Sequence, residues 1–227
     1  NIAQIFDLGT VDNSYFIALE YIGGKDLKTI FERARRLGEK VSIPRICYII
    51  MKVCEGLSHA HDKKDAQGQH LEIVHRDVSP ENILVGVDGR VRLSDFGVAR
   101  ALQRKSTTSA GTLKGKSAYC SPEQVEGVAL DRRSDVFSLG ICAWEMFVGE
   151  RLFTAESPLE ILRQIALKEP VAPRKINPKI SRDLETICLH AMEKDPDSRY
   201  ASAQAMADDL HAVAELRPIQ ASRAGPM

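Results

Sequence analysis

The sequence predicts an α+β protein, mostly α. Three observations carry that prediction. Two short apolar segments open the chain around a polar turn, a second pair of short strands sits in mid-chain, and helical apolar periodicity fills most of the remainder. Residues 2–8 (IAQIFDL) and 15–21 (YFIALEY) are rich in strand formers and flank GTVDNS, a hairpin signal. Gly23 and Gly24 then break the chain. Residues 26–37 read as an amphipathic helix closed by Gly38. A second helix starts at Ser42-Ile43-Pro44, proline being tolerated in a first turn, and runs to about His61 with Ile46, Ile49, Ile50, Val53 and Leu57 on one face. KKDAQGQHLE (63–72) is a polar loop, and the short strands 83–85 and 91–93 flank Val87-Asp88-Gly89-Arg90. Residues 98–133 lack sustained periodicity and are rich in Ser, Thr, Gly, Lys and Arg. A structureless stretch that long is expected to be functional. Residues 136–148 read as a buried helix, 157–168 and 181–192 as amphipathic helices, and 201–216 as a last helix.

Composition excludes several classes. Thirty-one Lys and Arg balance 31 Asp and Glu, so bulk charge gives no reason to expect a nucleic-acid partner or membrane contact from this segment. The most apolar run, Val136–Val148, is interrupted by Glu145 and is too short to span hydrocarbon. Five scattered cysteines, with no close pair at metal-ligand spacing, read as reduced thiols of a cytoplasmic protein. The 227 residues suffice for one large domain or two small ones. The chain opens on Asn1 with residues that look like the middle of a sheet, so a piece of a longer protein is expected.

Chemistry concentrates in IVHRDVSPENILV (73–85) and in Ser94-Asp95-Phe96-Gly97. Asp77 follows His75-Arg76 in a loop entered from an apolar pair, Asn82 lies five residues on, and Asp95 follows a short strand. Carboxylate and amide oxygens are hard ligands that suit Mg²⁺, which is usually held by a few protein oxygens plus substrate phosphates. Phosphoryl transfer needs a group to orient the attacking hydroxyl and metals to neutralise phosphate charge. Asp77 can do the first; Asn82 and Asp95 can do the second.

HRDVSPEN followed by DFG resembles the catalytic and metal-binding loops of protein kinases. The resemblance extends along the chain. Ser121-Pro122-Glu123 is similar to the Ala-Pro-Glu that closes the activation segment, Asp135 in DVFSLG to the start of the buried central helix, and Arg199 in DPDSRY to the arginine that pairs with Glu123. Leu19-Glu20-Tyr21 resembles the hinge that receives adenine. SPEQ and RYASAQAMADDL are most similar to bacterial Ser/Thr kinases of the eukaryotic type. The fold this implies is a kinase-like large (C-terminal) lobe (26–216), with a two-strand remnant of the small lobe (1–19), a hinge (20–25) and a C-terminal tail (217–227).

The resemblance implies a Ser/Thr protein kinase that uses ATP with Mg²⁺ (or Mn²⁺) on protein substrates. Adenine would rest against the backbone of Glu20 and Ile22 over Leu84, with Leu19 as gatekeeper and Asp26 nearby. His75, Phe96 and Gly97 would have structural roles, as would Asp135 and the Glu123–Arg199 pair. The glycine-rich loop, the strand lysine and the helix glutamate of the family are not found in this sequence. Either a full kinase carries them elsewhere, or the protein is a pseudokinase or non-catalytic docking module.

One departure concerns Ser79. Most Ser/Thr kinases have a lysine there, touching the transferred phosphate, and a threonine at the position of Lys116 in GKSAYCSPE (115–123). Hydroxyl and ammonium have traded places. Lys116 could supply the positive charge while Ser79 bonds Asp77, or Ser79 could mark a degraded site. Arg76, a long cation beside a hydroxyl-rich loop, is expected to receive a phosphate placed on Thr108 or Thr107, with Thr112 as a further target.

Overall fold

The structure, a computed structural model, describes residues 1–11, 14–96 and 117–222. Gly97, Thr107, Thr108, Thr112 and Lys116 lie outside the described residues. An antiparallel ribbon opens the chain, β1 (Ile5–Val11) against β2 (Ser14–Leu19). β1 reaches further than the sequence suggested, because Thr10 and Val11 are themselves good strand formers. Ile2 and Ala3 leave the ribbon instead: Ile2 bridges in parallel to Leu93, and the Ala3 N–H donates to the Leu93 carbonyl at 2.9 Å. The ribbon exposes large apolar side chains, with Phe6, Leu8 and Tyr15 together on one face.

The glycine break at Gly23-Gly24 leads into a strand that periodicity could not reveal, β3 (Gly24–Asp26). It pairs with β4 (Ile83–Gly86), which pairs with β5 (Val91–Leu93), all antiparallel. A Cβ on Gly24 would meet the Val85 carbonyl oxygen at 2.0 Å, so the two strands approach this closely only through glycine. Asp26 ends β3 and caps α1 (Leu27–Arg36), accepting from the Thr29 N–H. α2 (Ile43–His61) follows, with proline in its first turn.

The stretch 98–133 is not loop to its end. Residues 117–119 form a 3₁₀ turn, and α3 (Pro122–Glu126) carries a capping box between Ser121 and Gln124 and stops at Gly127 in the left-handed region. Five residues are too few to show a period, which is why only the turn chemistry marks this helix. α4 (Arg132–Val148) is buried all round from Ser134 to Val148, as expected of a helix apolar on every face, and Gly149 ends it at φ 88°. α5 (Pro158–Leu167), α6 (Arg182–Ala191) and α7 (Ala203–Ala214) each begin at a serine whose hydroxyl accepts from a first-turn N–H.

α4 is the axis of the core; α2, α6 and α7 pack around it and one another. After α7 the chain folds back, and the buried Asp209 carboxylate accepts from the N–H groups of Gln220 and Ala221 at 2.6 and 2.9 Å. No helix among the described residues is long and apolar enough to cross a membrane.

Candidate active site

The loop between α2 and β4 is held from below by one carboxylate. Asp135, in the first turn of α4, is fully buried and accepts from the His75 N–H, the Arg76 N–H and His61 Nε2, each at 2.8 Å. Three bonds satisfy a charge that burial alone would make costly. His75 is oriented from both ring nitrogens. Its Nδ1 accepts from the Asp77 N–H at 3.2 Å, so the proton sits on Nε2, which donates to the Ser94 carbonyl at 2.8 Å. The Phe96 ring packs edge-on against His75, centroids 4.4 Å apart. This one histidine therefore joins the loop of Asp77 to the strand end that carries Asp95.

Asp77 is half-buried. Asn82 Nδ2 donates both to its backbone carbonyl at 2.7 Å and to its carboxylate Oδ2 at 3.1 Å. Because the amide nitrogen is spent on Asp77, Asn82 Oδ1 remains as the acceptor. The Asn82 carbonyl accepts from the Ser94 N–H at 2.9 Å, which brings the next residue, Asp95, alongside. Asp95 is exposed and lies in the left-handed region at φ 63°, a conformation aspartate tolerates better than most residues. Among the described residues no three His, Cys, Asp or Glu side chains converge as a metal cage. Two oxygen ligands fit a Mg²⁺ ion that takes its other ligands from water and phosphates.

Ser79 is buried, and its Oγ has no hydrogen-bond partner among the described residues, so the bond to Asp77 expected from the sequence is not made here. Only Val78 lies between them, and the bond that Asp77 Oδ2 does make is to Asn82 Nδ2. Cys120 stands in front of Asp77. Burial first, and then the Asp77 charge, push its thiol up to about 11, so it is a neutral wall and not a nucleophile. The Arg76 guanidinium meets no anion among the described residues.

At the hinge, the Glu20 carboxylate accepts from Arg92 Nε at 3.2 Å and from the Gln4 N–H at 3.1 Å. The Glu20 carbonyl and the Ile22 N–H make no backbone bond among the described residues and so are available to a planar heterocycle. Leu84, half-buried in β4 opposite Asp26, lies on the sheet below. Leu19 ends β2 and is 37% exposed, so it closes nothing off in this structure. The Asp26 side chain is committed to capping α1 through the Thr29 N–H and hydroxyl.

Behind the loop, α3 is braced to the late helices. Arg199 donates from Nη1 and Nη2 to the two oxygens of Glu123, at 2.7 and 2.8 Å, with both side chains buried. Sequence reasoning missed two partners in this region. Gln124 Nε2 donates to the Arg76 carbonyl at 2.8 Å, and the capping-box spacing Ser121-x-x-Gln124 was the signal that could have found half of it. The Tyr119 hydroxyl donates to Glu145 Oε2 at 2.7 Å, and Arg151 donates to that hydroxyl. Burial raises the Glu145 carboxyl although Arg151 and Tyr119 oppose it. These three side chains wall a cavity of about 370 Å³ between α1, α2 and α4, away from Asp77.

A profile for the protein kinase domain matches residues 1–210. The chain belongs to the protein kinase family. Its relatives include the tyrosine-protein kinase MasK of Myxococcus xanthus, 38% identical over 210 residues, which are 92% of this chain and 32% of that protein. The serine/threonine-protein kinase PrkC of Bacillus subtilis is 33% identical over 210 residues, 92% of this chain and 31% of its own. PknB of Mycobacterium leprae is 32% identical over 228 residues, 98% and 35%. The kinase domain described here thus spans about a third of the length of the curated relatives it matches.

Proposed function

We propose that the protein transfers the γ-phosphate of ATP to protein serine or threonine hydroxyls, with Asp77 orienting the acceptor and Asn82 and Asp95 holding Mg²⁺. The observation that carries this reading is the Asn82 amide. Its nitrogen is spent on Asp77 and its oxygen is left as a hard ligand beside the strand end of Asp95. On this reading the Asp77–Asn82 pair puts an acceptor-orienting carboxylate next to one metal ligand, and the strand end brings the second, which is what phosphoryl transfer asks of a protein. ATP's adenine rests on the hinge at Glu20 and Ile22, above Leu84. The apolar faces of β1 and β2 support reading them as part of a small lobe whose other strands cover them. A cytoplasmic location accords with five free thiols.

Serine or threonine is preferred over tyrosine because PrkC and PknB bear that name, whereas MasK is named a tyrosine kinase. Lys116 is proposed to supply the charge that the usual lysine would bring at position 79. The experiment is transfer from γ-labelled ATP with Mg²⁺ by the full-length protein, followed by acid hydrolysis to phosphoamino acids. Phosphoserine or phosphothreonine is expected, and phosphotyrosine would move the acceptor to a phenol. Nucleotide binding without transfer would favour a docking module, the reading that Ser79 alone supports.

A further inference from the structure

We infer that Gln124 is a positioning residue for Asp77, linking the end of the activation segment to the catalytic loop. The inference rests on the phosphotransfer reading above. Arg76, the residue before Asp77, sits at φ 71°. That left-handed conformation is strained for a long side chain, and such residues persist only where their surroundings hold them. Arg76 has no local side-chain reason to adopt it, so the restraint must come from its peptide groups. Its N–H donates to Asp135 Oδ1 at 2.8 Å. Its carbonyl accepts from Gln124 Nε2 at 2.8 Å.

The Arg76 carbonyl and the Asp77 N–H belong to one rigid peptide plane. The N–H edge of that plane donates to His75 Nδ1 at 3.2 Å, and the carbonyl edge is held by Gln124. The plane that leads into Asp77 therefore cannot rotate without breaking one of two bonds. Only the Gln124 bond comes from outside the loop. Gln124 is itself fixed, since its Oε1 accepts from the Ser121 N–H at 2.9 Å and closes the capping box of α3. Its neighbour in α3, Glu123, is anchored on Arg199. The bond thus transmits the placement of the segment 119–124, which ends the activation segment, to the residue that orients the acceptor. A loop set wrongly would misplace the Asp77 carboxylate without disturbing the nucleotide.

Two substitutions in the full-length protein separate this role from simple support. Gln124→Glu keeps an oxygen for the Ser121 N–H, and so the cap, but brings no hydrogen to the Arg76 carbonyl. Gln124→Met loses both. For Gln124→Glu the thermal midpoint should stay within about 2 °C of wild type, the KM for ATP should be unchanged, and kcat should fall on the order of tenfold. Gln124→Met should show the same kcat loss and a lower midpoint. Amide hydrogen exchange should quicken across residues 73–82 in both variants, and across 117–127 only in Gln124→Met. A Gln124→Glu enzyme with wild-type kcat would overturn the inference, as would a kcat loss that merely tracks the thermal midpoint. A wild-type protein that transfers no phosphate would sink the kinase reading. In that case unchanged exchange at 73–82 in Gln124→Glu would sink the link separately, and quickened exchange would uphold it.

Discussion

Removing the Arg199 side chain should be among the most damaging single changes available to this domain. Arg199 is 4% exposed, and all five of its N–H donors are used. Two go to Glu123 Oε1 and Oε2 at 2.7 and 2.8 Å, and three to the carbonyls of Glu193, Arg133 and Lys194 at 2.6, 3.2 and 2.9 Å. The guanidinium also lies 4.8 Å from the centre of the Phe137 ring. Arg199→Ala leaves Glu123 buried, with the Ser134 hydroxyl at 2.7 Å as its one other side-chain partner among the described residues, and takes a donor from each of three carbonyls. Breaking a buried ion pair from one side costs about 3–5 kcal/mol. For a domain of this size each kcal/mol moves the thermal midpoint by roughly 2–4 °C, so a fall on the order of 10 °C is expected.

Lysine cannot reproduce the fork, so Arg199→Lys should recover little. The Glu123→Gln, Arg199→Met double variant should be less destabilised than the two single changes summed. Calorimetry or circular dichroism melts on Arg199→Ala, Arg199→Lys and the four proteins of the cycle (wild type, Glu123→Gln, Arg199→Met and the double variant) read this out. A midpoint shift below about 2 °C for Arg199→Ala, or strict additivity in the cycle, would refute the reasoning. Burial by itself would raise the Glu123 carboxyl, but the bonds from Arg199 and Ser134 outweigh it and hold it below the usual range. The stability this pair gives is therefore present above the unfolded-chain carboxylate value and is lost as pH falls through the lowered folded value.

Asp95→Asn, with one oxygen fewer for the metal, should cut turnover while leaving the melt unchanged, because Asp95 is exposed and supports no core. A collapsed melt with nucleotide binding intact would contradict its assignment as a ligand. Lys194 donates to the Ile165 carbonyl at 2.7 Å between the rings of Phe137 and Phe153, and burial lowers its ammonium to about 8. The folded state gives up this proton near pH 8 while the unfolded chain keeps it to about 10.4, so stability should rise with pH between those values. In denaturant titrations the stability difference between wild type and Lys194→Met should therefore grow from pH 8 to 10, and a flat difference would contradict the burial argument. If the proposed phosphotransfer is right, Thr108, or next Thr107, should carry phosphate in the full-length protein, with Arg76 as receiver. Mass spectrometry that finds both unmodified, or full activity in the double alanine variant, would exclude this control.

The helices were legible because each states its own boundaries. Ser157, Ser181 and the Asp26 cap mark starts that the structure places within a residue or two, and the apolar stripe of α2 fixes its buried face. β3 was not legible, since three residues beginning on glycine show no alternation and pair only because β4 lies opposite. α3 hid for a similar reason: its stability comes from a capping box and a brace 76 residues away, not from a period. At the site, the residue types and spacing of Asp77, Asn82 and Asp95 pointed to hard-ligand chemistry before any geometry. What sequence could not supply was the wiring: three donors on Asp135, the proton on Nε2 of His75, and the Gln124 bond to Arg76. Those are contacts between elements distant in sequence, and no local pattern encodes them. Ser79 is the instructive miss. Its type suggested a hydrogen bond to Asp77, but Asp77 Oδ2 bonds Asn82, and among the described residues the serine hydroxyl is buried and unbonded.

The central claim is that Asp77 orients the acceptor hydroxyl in phosphoryl transfer. Single-turnover transfer from ATP by the full-length protein, compared between wild type and Asp77→Asn at saturating Mg²⁺, tests it most directly. The account predicts that the variant binds nucleotide as tightly as wild type and loses transfer by about 10² or more, the scale of a positioned acid–base group. Transfer at the wild-type rate in Asp77→Asn would contradict it.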